Sequence, residues 1–198
     1  MADMMWIVLM VTVALVLYGI AIYNRLVGLK TSFENGFSQI EVELKRRHDL
    51  IPNLIETAKG YLQHERQTLE SLTHARTAAM NTLTAAVKEP GDVSALMALV
   101  GAENALAGAL GRLQVVVEQY PDLKADRNMM QLSAELSQTE NRISSVRQAY
   151  NNAVTVYNAY KQSFPPLLIA GRSGHGQDAT LLEFADHDAI REVVRALF

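Results

Sequence analysis

Residues 4–23 read MMWIVLMVTVALVLYGIAIY and carry no charged side chain. A helix of about 20 residues rises roughly 30 Å, which is the thickness of the hydrocarbon core of a bilayer. Trp6 lies near one end of this stretch, and Tyr18 and Tyr23 lie near the other, where amphipathic rings favour the membrane interface. The sequence therefore predicts that residues 1–23 form a transmembrane anchor for the rest of the chain.

A cleaved secretory signal is the alternative interpretation, since residues 19–21 (GIA) resemble a small-x-small cleavage site. No Lys or Arg precedes Trp6, and the apolar run is long for a signal, so an uncleaved anchor is favoured. The basic flank, Arg25 and Lys30, follows the span. Because positive residues stay in the cytoplasm, we expect the N-terminus outside and the remaining chain inside.

Composition limits what the remaining chain can do. Of 198 residues, those after the anchor suffice for one domain of ordinary size. A net charge of −3 and an isoelectric point near 6.0 disfavour nucleic-acid binding, which normally needs a basic excess. The absence of cysteine excludes disulfides, thiolate catalysis, iron–sulfur clusters and cysteine-bound zinc.

The first of three predicted bundle helices continues directly from the anchor, because no loop signal follows the span. Its apolar residues recur every three or four positions for about 47 residues, a spacing that predicts one buried face. Arg47 and Glu65 occupy the two gaps in this stripe. Pro52 removes a backbone donor, so we expect a kink there and a helix end near Val87. The stripe consists of Leu26, Leu29, Phe33, Phe37, Ile40, Leu44, Ile51, Leu54, Ala58, Leu62, Leu69 and Leu72.

The second predicted helix follows a turn at residues 88–91 (KEPG). Asp92 is its expected N-cap, and it should end near Gln119. Its apolar stripe is interrupted by Glu103.

The third predicted helix begins at Asp126 or Asn128, after Pro121 has broken the second. Its apolar and tyrosine residues alternate at spacings of four and three, which is the heptad pattern of a coiled coil. Residues 164–166 (FPP) should end it after Ser163.

These segments predict an all-α fold, in which one N-terminal transmembrane helix continues into an elongated antiparallel three-helix bundle at residues 24–166. Residues 167–198 form a short C-terminal tail that the bundle does not need. Within it, residues 171–176 (GRSGHG) read as a linker, and residues 189–198 as a short amphipathic helix. The apolar residues of the tail suggest docking on the membrane, on the bundle or on another copy.

No motif for catalysis, a cofactor or a metal ion is complete in this sequence. His64 and Glu65 begin like a zinc-protease motif, but Thr68 stands where the second histidine belongs. Residues 171–176 lack the Lys and Ser/Thr of a phosphate loop. Residues 186–188 (DHD) could ligate a metal, although such neighbours are common on solvated tails. We therefore expect no catalytic residue, no cofactor and no metal.

The first candidate contact site is the basic run Lys45, Arg46, Arg47 and His48. A solvated helix face is the simpler interpretation. The functional alternative is contact with an acidic partner or with anionic lipid headgroups. An upright helix would hold the run roughly 30 Å from the bilayer, beyond a Debye length, so lipid contact requires the helix to lie down.

The second candidate site is a polar group in the third helix. Its two Tyr-Asn pairs are seven residues apart and share one helical face. A hydrogen-bond network that fixes the register of the bundle is the favoured interpretation, and a ligand or partner site is the alternative. The group consists of Glu140, Asn141, Arg142, Arg147, Tyr150, Asn151, Tyr157 and Asn158.

Several motifs, in order along the chain, resemble the LemA family. They are residues 23–27 (YNRLV), 44–54 (LKRRHDLIPNL), 60–61 (GY), 120–125 (YPDLKA), 139–143 (TENRI), 147–151 (RQAYN) and 164–165 (FP). The resemblance implies a helical bundle anchored in the bacterial inner membrane, with its C-terminal domain in the cytoplasm. It implies no assigned activity. Magnetosome membrane proteins are similar to this family, which hints at a role in membrane organisation.

The leading hypothesis is a non-catalytic membrane-anchored scaffold that self-associates and organises the inner membrane or recruits proteins to it. Its expected partners are membrane lipids and further copies of the chain in a homo-oligomer, and no nucleic acid. The alternative is an adaptor or accessory subunit of a membrane complex such as a protease or transporter, with another membrane protein as partner. An enzyme that uses Glu140, Arg142 and Arg147 is the least favoured class.

Overall fold

The computed structural model describes residues 1–62 and 65–184, and within these ranges the regular structure is entirely helical. The all-α class is confirmed, as is a long apolar N-terminal helix that enters a bundle. The helices are α1 (Ala2–Lys59), α2 (Arg66–Lys88), α3 (Val93–Glu118), α4 (Pro121–Lys124), α5 (Arg127–Gln162) and α6 (Pro166–Ala170).

The first predicted bundle helix is divided into two, because the chain turns back between Lys59 and Arg66. The described bundle therefore has four long helices, α1, α2, α3 and α5, rather than three. Leu62 in the turn and Leu69 in α2 are buried in the same cluster as the last apolar residues of α1. The stripe thus keeps a helical spacing across the turn, and periodicity alone does not distinguish one long helix from a helical hairpin.

α1 continues past Pro52, which lies on its exposed side. Proline has no N–H to donate to the carbonyl four residues earlier, which here belongs to His48. Arg76 of α2 donates its Nε–H to this carbonyl at 2.6 Å. A neighbouring helix therefore satisfies the acceptor that the proline leaves open, and the same bond joins α2 to α1.

The long helices alternate in direction, and the main packing pairs are α1 with α5 and α2 with α3. The turn before α3 places Gly91 against the ring of Phe33, with a φ of +98° that glycine adopts without strain. Asp92 and Asp126 cap α3 and α5 by accepting backbone N–H bonds, which confirms the cap predicted at Asp92 and selects Asp126 over Asn128.

The buried side chains form two clusters along the bundle. The anchor-side core, nearer the apolar end of α1, contains the aromatic residues Phe33, Phe37, Tyr150 and Tyr157. The far core is aliphatic apart from one methionine. Its buried members are Ile51, Leu54, Ala58, Leu62, Leu69, Leu72, Ala79, Leu106, Ala109, Leu113, Leu123 and Met129.

α5 ends at Gln162, close to the predicted position. After α6, residues 175–184 run back along α5 without helix or strand, and we call them the tail strap. The amphipathic helix predicted at residues 189–198, the DHD sequence at 186–188 and His64 lie outside the described residues.

Candidate functional site

The apolar part of α1 lies outside the bundle. An 18-residue window within it has a mean hydropathy of 2.5, and 6% of this window is buried inside the protein. Trp6 and Tyr18, two of the predicted interface residues, are 61% and 54% exposed. α3 is also long and apolar enough to cross a membrane, but 33% of its window is buried and its leucines face the bundle. Of these two helices, α1 is the one whose apolar window lies almost wholly outside the bundle.

An apolar base surrounds the point where α1 leaves the bundle. It consists of Tyr18, Tyr23, Phe164, Leu167 and Leu168. Ile169 of α6 lies 3.9 Å from where a Cβ on Gly19 would stand, so α6 packs beside this part of α1. Phe164, Leu167 and Leu168 are 79%, 55% and 57% exposed. Exposed apolar side chains beside an apolar span are suited to a lipid–water boundary.

The predicted flanking residues Tyr23 and Arg25 also join α1 to other elements. The guanidinium of Arg25 lies 5.3 Å from the ring centroid of Tyr160 in α5, within cation–π range. The ring of Tyr23 meets that of His175 edge-on, with centroids 6.1 Å apart. These contacts fix the orientation of the bundle relative to the apolar span.

A buried charged layer, formed by Arg47, His48, Glu103 and Glu140, separates the two cores. Arg47 donates to Glu103 and, at 2.7 Å, to Glu140. The Nε2 atom of His48 lies 2.9 Å from the other carboxylate oxygen of Glu103. Arg47, His48 and Glu103 are 3%, 1% and 2% exposed, so their charges are compensated inside the protein.

The ion pairs of this layer favour the charged forms of Arg47 and Glu103 despite their burial. Burial lowers the pKa of Arg47, but the charges of Glu103 and Glu140 raise it, and the pKa is raised overall. Burial raises the pKa of Glu103, but the hydrogen bond from His48 and the charge of Arg47 lower it, and the pKa is lowered overall. Arg47 and Glu103 therefore both remain ionised at neutral pH.

The predicted basic contact site is divided between the interior and the surface. Arg47 and His48 belong to the charged layer, whereas Lys45 and Arg46 lie on the surface. Lys45 pairs with Glu41, one turn earlier, at 2.5 Å. A partner or lipid headgroup therefore has access only to Lys45 and Arg46.

The members of the predicted polar group lie in three surroundings: the charged layer, the surface of α5 and the tail strap. Glu140 belongs to the charged layer, and Arg142 lies 3.8 Å from Glu43 on the surface. Asn141 is on the exposed side of α5. Within the described ranges, no three His, Asp or Glu side chains are grouped to hold a metal ion.

The asparagines of the two Tyr-Asn pairs hold the tail strap by its main chain. Asn158 donates to the carbonyl of Ala179 at 2.8 Å and accepts from its N–H at 3.0 Å. Asn151 does the same with Leu182, at 3.0 and 2.8 Å. Seven helical residues rise about 10 Å, as do three extended residues, so the spacings of the two partners match.

Other side chains of α5 add to this clamp. Tyr150 donates its hydroxyl to the carbonyl of Thr180 at 2.9 Å, and burial raises its pKa to about 12, so the hydroxyl stays protonated. The hydroxyl of Tyr157 lies 3.0 Å from Nδ1 of His175. Arg147 donates to the carbonyl of Phe184 at 3.3 Å. Four members of the predicted polar group thus bind the tail strap through its main chain, and Tyr157 binds a side chain in it.

Two residues of this architecture were not predicted as site residues, although one of them had a signal. Glu103 interrupts the apolar stripe of α3 just as Arg47 interrupts that of α1, so opposite charges at two buried positions predict a pair. Arg76 had no such signal, because it binds a backbone carbonyl.

Comparison with known proteins identifies relatives of most of the chain. The model of the LemA family matches residues 36–198. Magnetosome protein MamQ 2 of Paramagnetospirillum magneticum is 28% identical in an alignment 158 residues long that covers 72% of this chain and 58% of that protein. Protein LemA of Metamycoplasma hominis is 28% identical over 141 residues, which are 71% of this chain and 60% of that protein. The matches thus cover less than two thirds of the length of these relatives.

Proposed function

The chain belongs to the LemA family, and on that premise we propose that it is a non-catalytic, membrane-anchored scaffold. In this proposal it associates with further copies of itself and organises the bacterial inner membrane or recruits proteins to it. One observation carries the proposal: a single helix, α1, joins an uncovered apolar span to the core of a bundle. The N-terminus lies outside and the bundle in the cytoplasm, as the basic flank favours.

The rigid connection between span and bundle supports a scaffolding role. α1 has no break between Trp6 and Phe37, so a tilt of the span is transmitted to the bundle. The apolar base would rest at the lipid boundary and keep the bundle upright. Lys45 and Arg46 would then lie roughly 30 Å from the bilayer and serve a protein partner rather than lipid headgroups.

The outer face of α3 is the surface that we assign to self-association. Met97 and Val115 on this face are 66% and 62% exposed. A Cβ at Gly101 would have no neighbour within 4 Å, so the helix backbone is accessible there. Small residues beside exposed apolar ones allow a second helix to approach closely.

A role without catalysis agrees with the pairing of charged groups inside the protein. Arg47 and Glu103 are paired with each other inside the bundle, and Arg147 binds the tail strap. The relative MamQ 2 is named a magnetosome protein, and we extend to this chain its association with a membrane structure.

Co-purification of two differently tagged copies from one membrane tests the proposal. We expect the copies to be recovered together after mild crosslinking. Gly101→Glu should lower this recovery several-fold, because it places a charge on the α3 face, whereas Gln131→Glu on the exposed side of α5 should not. Recovery of each tag alone would contradict self-association.

The same experiment examines the alternative role as an adaptor or accessory subunit. The exposed basic residues Lys45 and Arg46 favour this role as a second candidate, because they offer a binding surface to an acidic partner protein. Stoichiometric recovery of a different membrane protein, without the second tag, would support the adaptor and contradict the scaffold.

A further inference from the structure

The short helix α6 packs against α1 inside the predicted apolar span. Ile169 of α6 lies 3.9 Å from where a Cβ on Gly19 would stand. Gly19 precedes Tyr23, the last residue of the uncharged stretch, by one helical turn, or about 6 Å. Ala170 and Ile22 are buried in the same core. α6 therefore reaches the last turn of the span.

The length of the span places α6 at the level of lipid. Asp3 bounds the uncharged stretch on one side, and residues 4–18, which precede Gly19, rise only about 22 Å. The hydrocarbon core of a bilayer is about 30 Å thick, so these residues are too short to cross it. Residues 4–23 together rise about 30 Å and match it. A membrane that α1 crosses must therefore include residues 19–23, and with them the neighbouring α6.

α6 has a buried face and an exposed apolar face. Pro166 and Ala170, four residues apart, are buried against the bundle. Leu167 and Leu168 are 55% and 57% exposed, and Phe164, just before the helix, is 79% exposed. Water is an unfavourable environment for these three large apolar side chains, whereas acyl chains are a favourable one. The exposed face of α6 thus continues the apolar surface of α1 and is suited to the same surroundings.

Two exposed arginines follow the apolar residues at this end of the molecule. Arg25 lies two residues after Tyr23, and Arg172 lies two residues after Ala170, the end of α6. Long basic side chains at such positions keep their stems in the apolar layer and reach the headgroups. Their guanidinium groups complement phosphate, and the attraction is strongest where the headgroup has a net negative charge.

We propose that α6, with Phe164, is a second membrane element, which enters the acyl-chain region of the leaflet on the bundle side while Arg25 and Arg172 bind anionic phospholipid headgroups. The proposal rests on the membrane anchoring of the proposed function and names the lipid that the apolar base contacts. Continuity with the span favours lipid over a second copy, because the lipid that surrounds α1 also reaches α6 and a protein partner would have to displace it.

Tryptophan fluorescence in lipid nanodiscs tests the insertion, because the chain has one tryptophan, Trp6. Leu168→Trp is made in a Trp6→Phe background, and the lipids are brominated near the headgroup end of their acyl chains. The matched control is Val42→Trp in the same background, since Val42 is 63% exposed but lies about 28 Å along α1 from Tyr23. Bromine quenches at short range, so we expect several-fold stronger quenching at Leu168→Trp than at Val42→Trp.

The unchanged Trp6 separates this inference from the anchoring on which it rests. Quenching of Trp6 in the unmodified protein, with Leu168→Trp quenched no more than Val42→Trp, would overturn the second membrane element and leave the anchor in place. Absence of quenching at both Trp6 and Leu168→Trp would contradict the anchor as well. Protection of Leu168→Trp only where a nanodisc holds several copies would assign this face to a second copy and also exclude the proposal.

Brominating one lipid at a time tests the headgroup. In an equal mixture of phosphatidylglycerol and phosphatidylcholine, quenching of Leu168→Trp reports whether the brominated lipid collects beside α6. We expect brominated phosphatidylglycerol to quench about two-fold more strongly than brominated phosphatidylcholine. Arg25→Gln/Arg172→Gln should remove this preference. Lys45→Gln/Arg46→Gln, an equal change of charge roughly 30 Å away, should keep it. Equal quenching by the two lipids with both arginines present would refute the binding of anionic headgroups.

Discussion

The anchor-side core and the far core stabilise the same four helices in different ways. In the anchor-side core, aromatic rings of α1 and α5 interlock, with centroids 5.2 Å apart for Phe33 and Tyr157 and 5.9 Å for Phe37 and Tyr150. The far core is aliphatic apart from one methionine. The anchor-side half is thus held by ring packing between α1 and α5, whereas the far half leaves an open cleft of about 480 Å³ between α3 and α5.

The charged layer marks the boundary between these halves. Leu44 and Leu99 belong to the anchor-side core, and Ile51 and Leu106 belong to the far core. Arg47 and Glu103 lie between them along α1 and α3. Buried ion pairs contribute little net stability, so we interpret this layer as a device that aligns α1, α3 and α5 in one register.

Removing one member of the charged layer should have the largest effect on stability. Arg47→Ala leaves Glu103 buried without its main partner, and we expect a loss of about 3–5 kcal/mol in the free energy of unfolding. The double variant Arg47→Met/Glu103→Leu should recover most of this loss, because it removes both charges. Urea unfolding measures both variants, and a loss below about 1 kcal/mol for Arg47→Ala would contradict a buried, paired layer.

Filling the close contact in the anchor-side half should have the next largest effect. A Cβ on Gly36 would lie 3.3 Å from the Cα of Tyr150, so Gly36→Val should force α1 and α5 apart and cost about 1–3 kcal/mol. Gly101→Ala is the control, since a Cβ there meets nothing within 4 Å, and it should stabilise the helix by about 0.5–1 kcal/mol. Equal shifts of the unfolding temperature in the two variants would contradict a close contact at Gly36, because they would show that both sites are packed alike.

The bond between Arg76 and the carbonyl of His48 should contribute a smaller amount. Arg76→Leu leaves this carbonyl without a donor and should cost about 1–2 kcal/mol. Pro52→Ala supplies the missing N–H, so the double variant Arg76→Leu/Pro52→Ala should lose less than the sum of the two single changes. Additive losses in a double-mutant cycle would contradict the coupling between Arg76 and Pro52.

The smallest expected effect is a difference in the acid limb of stability. The folded protein lowers the pKa of Glu103, so the unfolded state binds its proton more readily. The stabilisation is present above the unfolded pKa and is lost as the pH falls through the folded pKa. Stability measured from pH 6 to pH 3 should therefore fall less steeply in Arg47→Met/Glu103→Leu than in the unchanged protein. Identical slopes would exclude Glu103 as a source of acid sensitivity.

Local signals in the sequence predicted much of the fold. The caps at Asp92 and Asp126 depend on side chains and backbone within three residues, so their positions could be predicted. The turn after Lys59 was missed because Leu62 keeps the helical spacing across it. The apolar residues of two helices that form a hairpin around a shared core have the same spacing as those of one long helix.

The candidate site could be predicted only where side chains bind side chains. Arg47 and Glu103 interrupt two apolar stripes and so indicate a pair. Asn151 and Asn158 share a face, which the seven-residue repeat indicates, but they bind backbone groups of the tail strap. Every residue carries such groups, so no sequence pattern identifies the partner.

Counting copies in a lipid bilayer shows whether this protein is a self-associating membrane scaffold. The full-length protein, labelled with one fluorophore per chain at an exposed position away from the α3 face, is reconstituted in a supported bilayer and photobleached. We predict that most fluorescent spots bleach in two or more steps at low surface density. Single-step bleaching at every density would contradict the proposed self-association.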